Sequence, residues 1–310
     1  MVIHIAILGG CYPPLHISSE NLYLRSMKRY LIYIVTMLTL AACTSSQPTT
    51  DSQTIYVSIA PLRSLVEAIT AEDFPVEVLV PAGASPETFE PTPKQYIALN
   101  ESQWIFSTGL IEFETTLLGK ISARDKVIDL SRGIELIAGT CSHHHHGHTH
   151  VHGVDPHTWT SPRALKRMSQ TIYETIHNEY PDSTRYTQNF NRLQERLGAL
   201  DRAIEAQISA SGVEQFIVYH PALTYYARDY GIRQIAIEQE GKEPSAKRLA
   251  ELIRIAEEHD IHTVLVQRQF PRSSVEAVAK DMKAEVVEFD PLEENVIENI
   301  AHITDLITRK

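Results

Sequence analysis

The sequence predicts an α/β protein of two lobes, each with a central, mostly parallel sheet flanked by helices, bridged by one long rigid helix. Three observations support this fold class. Short β-branched and apolar segments alternate with helical segments over residues 53–180, and the alternation resumes over 212–310. Between them, over 181–211, apolar residues recur every three or four positions. At 1.5 Å per residue, a helix of that length is roughly 40 Å long, which is the width of a domain.

The first lobe is predicted to contain four strands with helices between them. Pro61 suits the first turn of a helix, and apolar residues follow it at helical spacing. The loop 81–93 is too rich in proline for regular structure, and Thr92 is expected to cap a helix that begins at Pro93. The predicted strands are 55–60, 76–80, 104–107 and 127–130, and the predicted helices begin near 61, 93, 111 and 162.

Turn and capping residues delimit the linking helix and the second lobe. Residues 181–183 open the linking helix, and Ser211 with Gly212 stops it. A coiled-coil dimer is the alternative use of its apolar seam, but the seam lasts only about three heptads. We therefore expect a strut packed along both lobes of a monomer. The predicted strands are 216–219, 235–237, 263–266 and 285–289, and the predicted helices are 225–230, 245–258, 273–283 and 293–308.

An export signal is predicted ahead of the first lobe. Residues 27–29 (Met-Lys-Arg) give a positive start, residues 31–40 are mostly apolar, and residues 40–43 read Leu-Ala-Ala-Cys. The apolar run is too short to span a membrane, which needs about 20 residues, but it has the length of a secretory signal. The small residues before Cys43 resemble a bacterial lipoprotein box. The alternative is a buried apolar helix of a folded domain.

This interpretation divides the N-terminal part of the chain into three segments and places the protein in the cell envelope, on a bacterial membrane. Residues 44–52 are rich in Ser, Thr and Gln, as flexible tethers are. The segments are 1–26 as an upstream extension from a mis-assigned start codon, 27–43 as the signal peptide with Cys43 lipidated, and 44–52 as the tether.

Charge and cysteine content exclude several classes of protein. The formal net charge is −11, and no basic stripe is present, so nucleic acid is excluded as a partner. An acidic body favours the attraction of cations. Cys11, Cys43 and Cys141 are scattered, so they form neither a zinc-knuckle spacing nor a disulfide framework.

A histidine-rich loop, 141–153, follows the first predicted sheet. Seven histidines fall within the ten residues 143–152, and Cys141 precedes them. Imidazole is the commonest protein ligand for zinc. A purification tag would be terminal and unbroken, and a merely solvated loop would favour Ser, Asn or Lys. We interpret the loop as a low-affinity metal collector or a sensor of metal supply, assisted by Cys141; the alternative is a dispensable loop. Its secondary metal ligands are His143, His144, His145, His146, His148, His150 and His152.

Four further candidate ligands stand where predicted strands give way to loops. Glu87 and His157 belong to the first lobe, and His220 and Asp290 belong to the second. Ligand sites in parallel sheets gather outside the carboxyl ends of the strands, so these residues are expected to meet in the cleft. Two carboxylates and two imidazoles would neutralise a divalent cation and suit zinc or manganese. Each residue taken alone is more often an ordinary loop, cap or core residue.

Six separated motifs favour a ligand role for these four residues. Together, and in the same order, they resemble the cluster A-I metal solute-binding proteins of ABC importers, over nearly all of 54–309. The resemblance implies two lobes bridged by a long helix, one metal ion in the cleft, and transfer of that ion to a membrane permease. The motifs are S-I-A-P-L-R-S-L-V (58–66), V-P-A-G-A-S-P-E-T-F-E-P-T-P (80–93), D-P-H-T-W-T-S-P (155–162), Y-H-P-A-L-T-Y-Y-A-R-D-Y-G (219–231), E-G-K-E-P-S (240–245) and F-D-P-L (289–292).

The resemblance assigns ligands residue by residue, with one departure. His157 and His220 match ligand positions with the usual residue, and Asp290 matches the acidic position of F-D-P-L. Glu87 stands where the family commonly has histidine, so either Glu87 binds the metal or Glu90 or a water substitutes; we favour Glu87. An oxygen ligand also suits manganese. The histidine-rich loop, which the family's zinc members carry between the same two motifs, favours zinc.

The expected function is high-affinity, extracytoplasmic binding of Zn²⁺ and its delivery to an ABC import permease, without enzymatic activity. A manganese-binding protein of the same fold, a zinc-dependent hydrolase and a surface adhesin are the alternatives. No H-E-x-x-H motif is present, and four protein ligands would leave no open position for a catalytic water. Neutral imidazoles are needed for binding, so we expect uptake to weaken as the pH falls through about 6.5. A stiff linking helix favours metal release through local loop movement over a wide hinge opening.

Overall fold

The computed structural model describes residues 53–122, 124–139, 153–238 and 244–309. Several expectations lie outside the described residues: the extension, signal and tether with Cys43, the histidine-rich segment with Cys141 and its seven histidines, and most of the E-G-K-E-P-S motif. Among the helices of the described part, none is long and apolar enough to cross a membrane.

The first sheet has four parallel strands in the order β2-β1-β3-β4. Its central strands are buried, because helices cover both faces of a parallel sheet and make it apolar throughout. The strands are β1 (Ile55–Val57), β2 (Val76–Val78), β3 (Trp104–Ser107) and β4 (Val127–Asp129), and the helices are α1 (Ala60–Thr70), α2 (Pro93–Glu101), α3 (Glu112–Leu118) and α4 (Pro162–Glu179).

The second sheet repeats this plan in the order β6-β5-β7-β8, again with all strands parallel. In both sheets the chain order reverses beside a central strand, which creates a crevice at the carboxyl ends of the strands. The strands are β5 (Gln215–Val218), β6 (Arg233–Ala236), β7 (Thr263–Gln267) and β8 (Glu285–Phe289), and the helices are α6 (Thr224–Asp229), α7 (Ala246–Glu258), α8 (Ser273–Asp281) and α9 (Val296–Thr308).

Helix α5 (Thr184–Ser211) lies along both lobes. It packs against α1 and α4 of the first lobe and against α9 of the second. Ser183 caps its first turn by accepting a hydrogen bond from the Tyr186 amide, and Gly212 ends it in a left-handed conformation with φ +69°. The side chains that face the lobes are apolar and buried, namely Phe190, Leu193, Leu197, Leu200, Ile204 and Ile208. The predicted α/β class, two parallel sheets and long helix are thus confirmed.

Several predicted element ends are wrong by two or three residues. Strand β1 ends at Val57, and α1 begins at Ala60, because Pro61 sits in the first helical turn and starts the helix early. Helix α8 ends at Asp281, and Lys283 then adopts a positive φ of 56°, which stops a helix. Helix α9 begins at Val296, later than 293, because Asp290 and Glu293 form a turn before it. Despite these shifts, Glu87, His157 and His220 still lie in loops that follow the strands β2, β4 and β5.

Candidate metal centre

His157 is held rigidly in a turn that precedes a 3-10 helix, Thr158–Thr160. Its side chain is buried, and Asp155 Oδ1 accepts hydrogen bonds from both its backbone N–H and its Nδ1, each at 2.9 Å. The Asp155 carboxylate therefore fixes the proton on Nδ1 and leaves Nε2 with a lone pair for a metal. Burial alone would raise the pKa of Asp155, but the contacts with His157 outweigh it and hold that pKa below its usual range.

His220 follows β5 and has the same arrangement with a different carboxylate. Its buried Nδ1 lies 2.7 Å from Glu238 Oε1, at the end of the neighbouring strand β6. The Gln267 side chain holds its backbone on both sides, accepting from the amide and donating to the carbonyl. The Phe270 ring stacks on the imidazole with centroids 5.2 Å apart. The ring of His220 is thus oriented by three neighbours, with Nε2 directed at the first lobe.

The electrostatics of His220 differ from those of an ordinary histidine. Burial by itself would lower the pKa of His220, but the Glu238 and Glu87 carboxylates outweigh it and raise the pKa to about 9. Without a metal, His220 therefore carries a proton at neutral pH, and the two carboxylates neutralise it. A cation that binds Nε2 must displace this proton. For this histidine the raised pKa moves the expected weakening of metal binding from about pH 6.5 to about pH 9.

Glu87 approaches Nε2 of His220 from the first lobe. It lies in the loop between β2 and α2, with its side chain 22% exposed and its amide bonded to Ser85 Oγ at 3.3 Å. Its Oε1 lies 3.0 Å from His220 Nε2. Ligand atoms of a tetrahedral zinc ion at about 2.0 Å stand roughly 3.3 Å apart. The separation therefore suits two ligands of one ion.

The structure brings together three of the four predicted ligands. Candidate ligand atoms of Glu87, His157 and His220 all lie within 4.8 Å of one another, the one such group among the described residues. Asp290 is not part of it. Its Oδ1 accepts from Gln269 Nε2 at 2.8 Å and from the Leu292 amide at 2.9 Å, and the Arg268 guanidinium lies 3.6 Å from its Oδ2. These donors already satisfy the carboxylate. Glu90 is exposed and lies outside the group as well.

A small cavity of about 30 Å³ lies at the three residues. Its walls are mostly apolar, which lowers the local dielectric and strengthens any ion–ligand contact inside. A water needs roughly 10–15 Å³ of such space, so an ion and about one water fit. The apolar lining residues are Pro86, Ile111, Pro156, Trp159, Ala222, Phe270, Pro291 and Leu292.

Two functional residues, Asp155 and Glu238, were not predicted from the sequence. Asp155 stands two residues before His157, a spacing at which an Asp side chain commonly bonds the backbone ahead of it. Glu238 lies two residues after β6 and His220 lies two residues after the neighbouring β5, and the ends of neighbouring strands are adjacent in a parallel sheet. Carboxylates at these positions were therefore detectable as partners of the two histidines.

Two parallel-sheet lobes with a His-His-Glu cluster between them define a two-lobed binding protein with a candidate metal site in its cleft. A family model, ZnuA, described as "Zinc-uptake complex component A periplasmic", matches residues 55–308, and the chain belongs to this family.

Solved structures and relatives agree with the family. A crystal structure of ZnuA has 34% sequence identity and a TM-score of 0.74, covering 83% of this chain and 98% of that one. A "Putative metal-binding protein" of Chlamydia trachomatis serovar D is 30% identical over 264 residues, which are 84% of this chain and 92% of that protein. The zinc-binding lipoprotein AdcA of Streptococcus pneumoniae serotype 4 is 25% identical over 279 residues; the match covers 86% of this chain but only 56% of AdcA.

Proposed function

We propose that the chain captures Zn²⁺ outside the cytoplasm in the cleft site and passes it to an ABC import permease, without catalysing a reaction. The observation that carries this proposal is the convergence of Glu87, His157 and His220, with the Nδ1 of each imidazole held by a carboxylate. Such carboxylate–histidine pairs orient ligands and raise their basicity in zinc sites. Membership of a zinc-uptake family supports the choice of cargo.

Zinc fits the donor set better than manganese does. Two imidazole nitrogens and one carboxylate oxygen are typical zinc ligands, whereas manganese prefers oxygen ligands at a higher coordination number. A water that occupies the remaining space of the small cavity would complete four-coordination. Asp290 remains a candidate fourth ligand only if its contacts with Gln269 and Arg268 are exchanged for the metal.

Size argues against a hydrolase. Three protein ligands and a free position are the pattern of catalytic zinc. However, the cavity of about 30 Å³ is little larger than an ion and about one water. A binding protein needs only the ion to enter, so a small cavity with mostly apolar walls suits capture.

The proposal extends to the parts of the chain outside the described residues. AdcA is named a zinc-binding lipoprotein, and Cys43 would carry the equivalent anchor on the bacterial cell envelope. The lobes would span 53–180 and 212–310, with 181–211 as the linker of a monomer. The histidines of 143–152 would supply weaker sites.

Zinc titration of substituted proteins tests the cleft site. His157→Ala and His220→Ala should each lose the tight site in calorimetry, because each removes one of three ligands. His262→Ala is the matched control, since His262 is exposed and pairs with Asp260 away from the cleft. It should bind as the wild type does. Tight one-to-one zinc binding that survives both cleft substitutions would overturn the proposal, and so would hydrolytic turnover by the zinc-loaded protein.

A further inference from the structure

The segment that carries His157 is bonded mainly to the second lobe, although it lies between β4 and α4 of the first lobe in the sequence. Trp159 Nε1 donates to the Pro291 carbonyl at 2.9 Å, and Arg228 Nη1 donates to the Glu135 carbonyl at 2.7 Å. Ser161 Oγ donates to the Asp229 carboxylate. Contacts from three separate points therefore hold the segment against α6 and the loop after β8.

Tyr225, on α6, makes the central contact of this set. Its hydroxyl donates to the Asp155 carbonyl at 2.8 Å and accepts from the Ile137 amide at 3.2 Å. Asp155 and Ile137 are themselves paired, with the Asp155 amide bonded to the Ile137 carbonyl at 2.9 Å. One fully buried hydroxyl thus closes a triangle with both strands of the short ribbon that leads into His157. The Arg228 guanidinium lies 5.1 Å from the centre of the Tyr225 ring and covers it.

The segment of the second lobe that carries Tyr225 also carries His220. The Ala222 amide donates to the His220 carbonyl at 2.8 Å, and the Leu223 amide donates to Gln234 Oε1 at 2.7 Å, so the turn from His220 into α6 is fixed. Any displacement of Tyr225 relative to Asp155 would therefore also displace His157 relative to His220.

We propose that Tyr225 is a positioning residue for metal uptake, whose hydroxyl ties the Asp155–His157 unit to the second lobe and so preassembles the two imidazoles. Glu87, whose loop belongs to the first lobe, then joins this preassembled pair. The inference rests on the proposed function, because it specifies how the cleft site is prepared. Residues that hydrogen-bond to metal ligands typically contribute 10–100-fold to metal affinity. Tyr225 bonds to Asp155, which in turn bonds to the ligand His157.

The test compares two single-atom deletions on the same helix. Tyr225→Phe removes the hydroxyl that bridges the ribbon. Tyr226→Phe is the matched control, because Tyr226 is equally buried and its hydroxyl bonds to Thr304, away from the cleft. Zinc dissociation constants by chelator competition and the visible absorption spectrum of bound Co²⁺ are measured for both, together with thermal unfolding.

Tyr225→Phe is expected to raise the zinc dissociation constant about tenfold and to alter the Co²⁺ spectrum, because His157 is no longer fixed. Tyr226→Phe should leave both unchanged even if it lowers thermal stability as much. The inference is overturned if Tyr225→Phe matches the wild type, or if both variants change binding equally. If the wild type itself binds no zinc, the proposed function fails instead.

A measurement on the unsubstituted protein covers the case in which Tyr225→Phe does not fold. Zinc should slow hydrogen exchange at the Ile137 and Asp155 amides, since the ion fixes His157 and through it the ribbon. Exchange at both amides that is indifferent to zinc would overturn the inference.

Discussion

At the scale of single residues, the site consists of two imidazoles that are each bonded to a carboxylate on the far side of the ring. Asp155 and Glu238 occupy Nδ1 of His157 and His220, so both rings present Nε2 to the cleft. The two pairs differ in one respect. His220 faces a second carboxylate, Glu87, besides Glu238, and the two together outweigh burial and raise the pKa of His220 to about 9.

The raised pKa predicts proton release on zinc binding. Below pH 9 the ion must displace a proton from His220, so the apparent affinity should rise about tenfold per pH unit and level off above about pH 9. Calorimetry in buffers of different ionisation enthalpy at pH 7 counts the protons released. Glu238→Gln removes one of the two carboxylates that raise the pKa of His220 and leaves Glu87 in place, so this pKa should fall and fewer protons should be released at pH 7. The same substitution should weaken zinc binding by about 10–100-fold at high pH.

Glu276→Gln serves as the control, because Glu276 is exposed and pairs with Arg272 on α8. It should release protons as the wild type does. Equal zinc affinity at pH 7 and pH 9 would contradict the assignment of the proton to His220.

The sequence predicted the ligands better than it predicted their partners. Glu87, His157 and His220 follow predicted strands. The strands of a parallel sheet all end at the same edge, so residues that follow them are expected near that edge even when the predicted strand boundary is wrong by two residues. Asp155 is indicated only by its position two residues before His157, and Glu238 is brought to His220 only by the pairing of β5 with β6. Asp290 also follows a predicted strand, but in the structure its carboxylate contacts Gln269 and Arg268, and its role as a ligand stays a prediction.

At the scale of elements, α5 packs along both lobes and joins them. Its apolar stripe was evident as a repeat of three and four, but the sequence alone left a dimer seam and an intramolecular strut as alternatives. In the structure α1, α4 and α9 cover that stripe. Polar pairs such as Arg196–Glu298 add contacts at its edge. The helix thus buries its apolar face within one chain.

Gly198, in the interior of α5, gives a stability prediction. A Cβ added there would meet Arg202 Nη1 at 3.5 Å and Lys166 Nζ at 3.8 Å, which are ordinary contacts. Gly198→Ala should therefore raise the free energy of unfolding by about 0.5–1 kcal/mol, because alanine loses less conformational entropy in a helix. Gly212→Ala, at φ +69°, should lower it by about 1 kcal/mol. Urea unfolding measures both, and a destabilised Gly198→Ala would show that α5 packs more tightly there than its contacts indicate.

At the scale of the whole molecule, two similar lobes are each predictable because their local patterns agree with their tertiary structure. Strand, helix and cap signals in each half all indicate a parallel sheet with flanking helices. No local sequence pattern indicated that the segment with His157 packs against the second lobe. This packing depends on long-range contacts, such as that between Tyr225 and Asp155, which join residues 70 positions apart. Sequence patterns of short period cannot report pairings at that separation.

The last prediction separates the cleft from the histidine-rich segment. A deletion of 143–152 removes seven histidines but none of Glu87, His157 or His220, and it leaves the ribbon pair Ala138–Val154 in place. The dissociation constant of the tight site should therefore stay within about twofold of the wild-type value, while the total zinc bound per chain falls. Calorimetry across a wide concentration range resolves both classes of site. If the deletion alone abolished tight binding here, the histidine-rich segment would supply essential ligands, and a cleft site built from three distant side chains would be wrong.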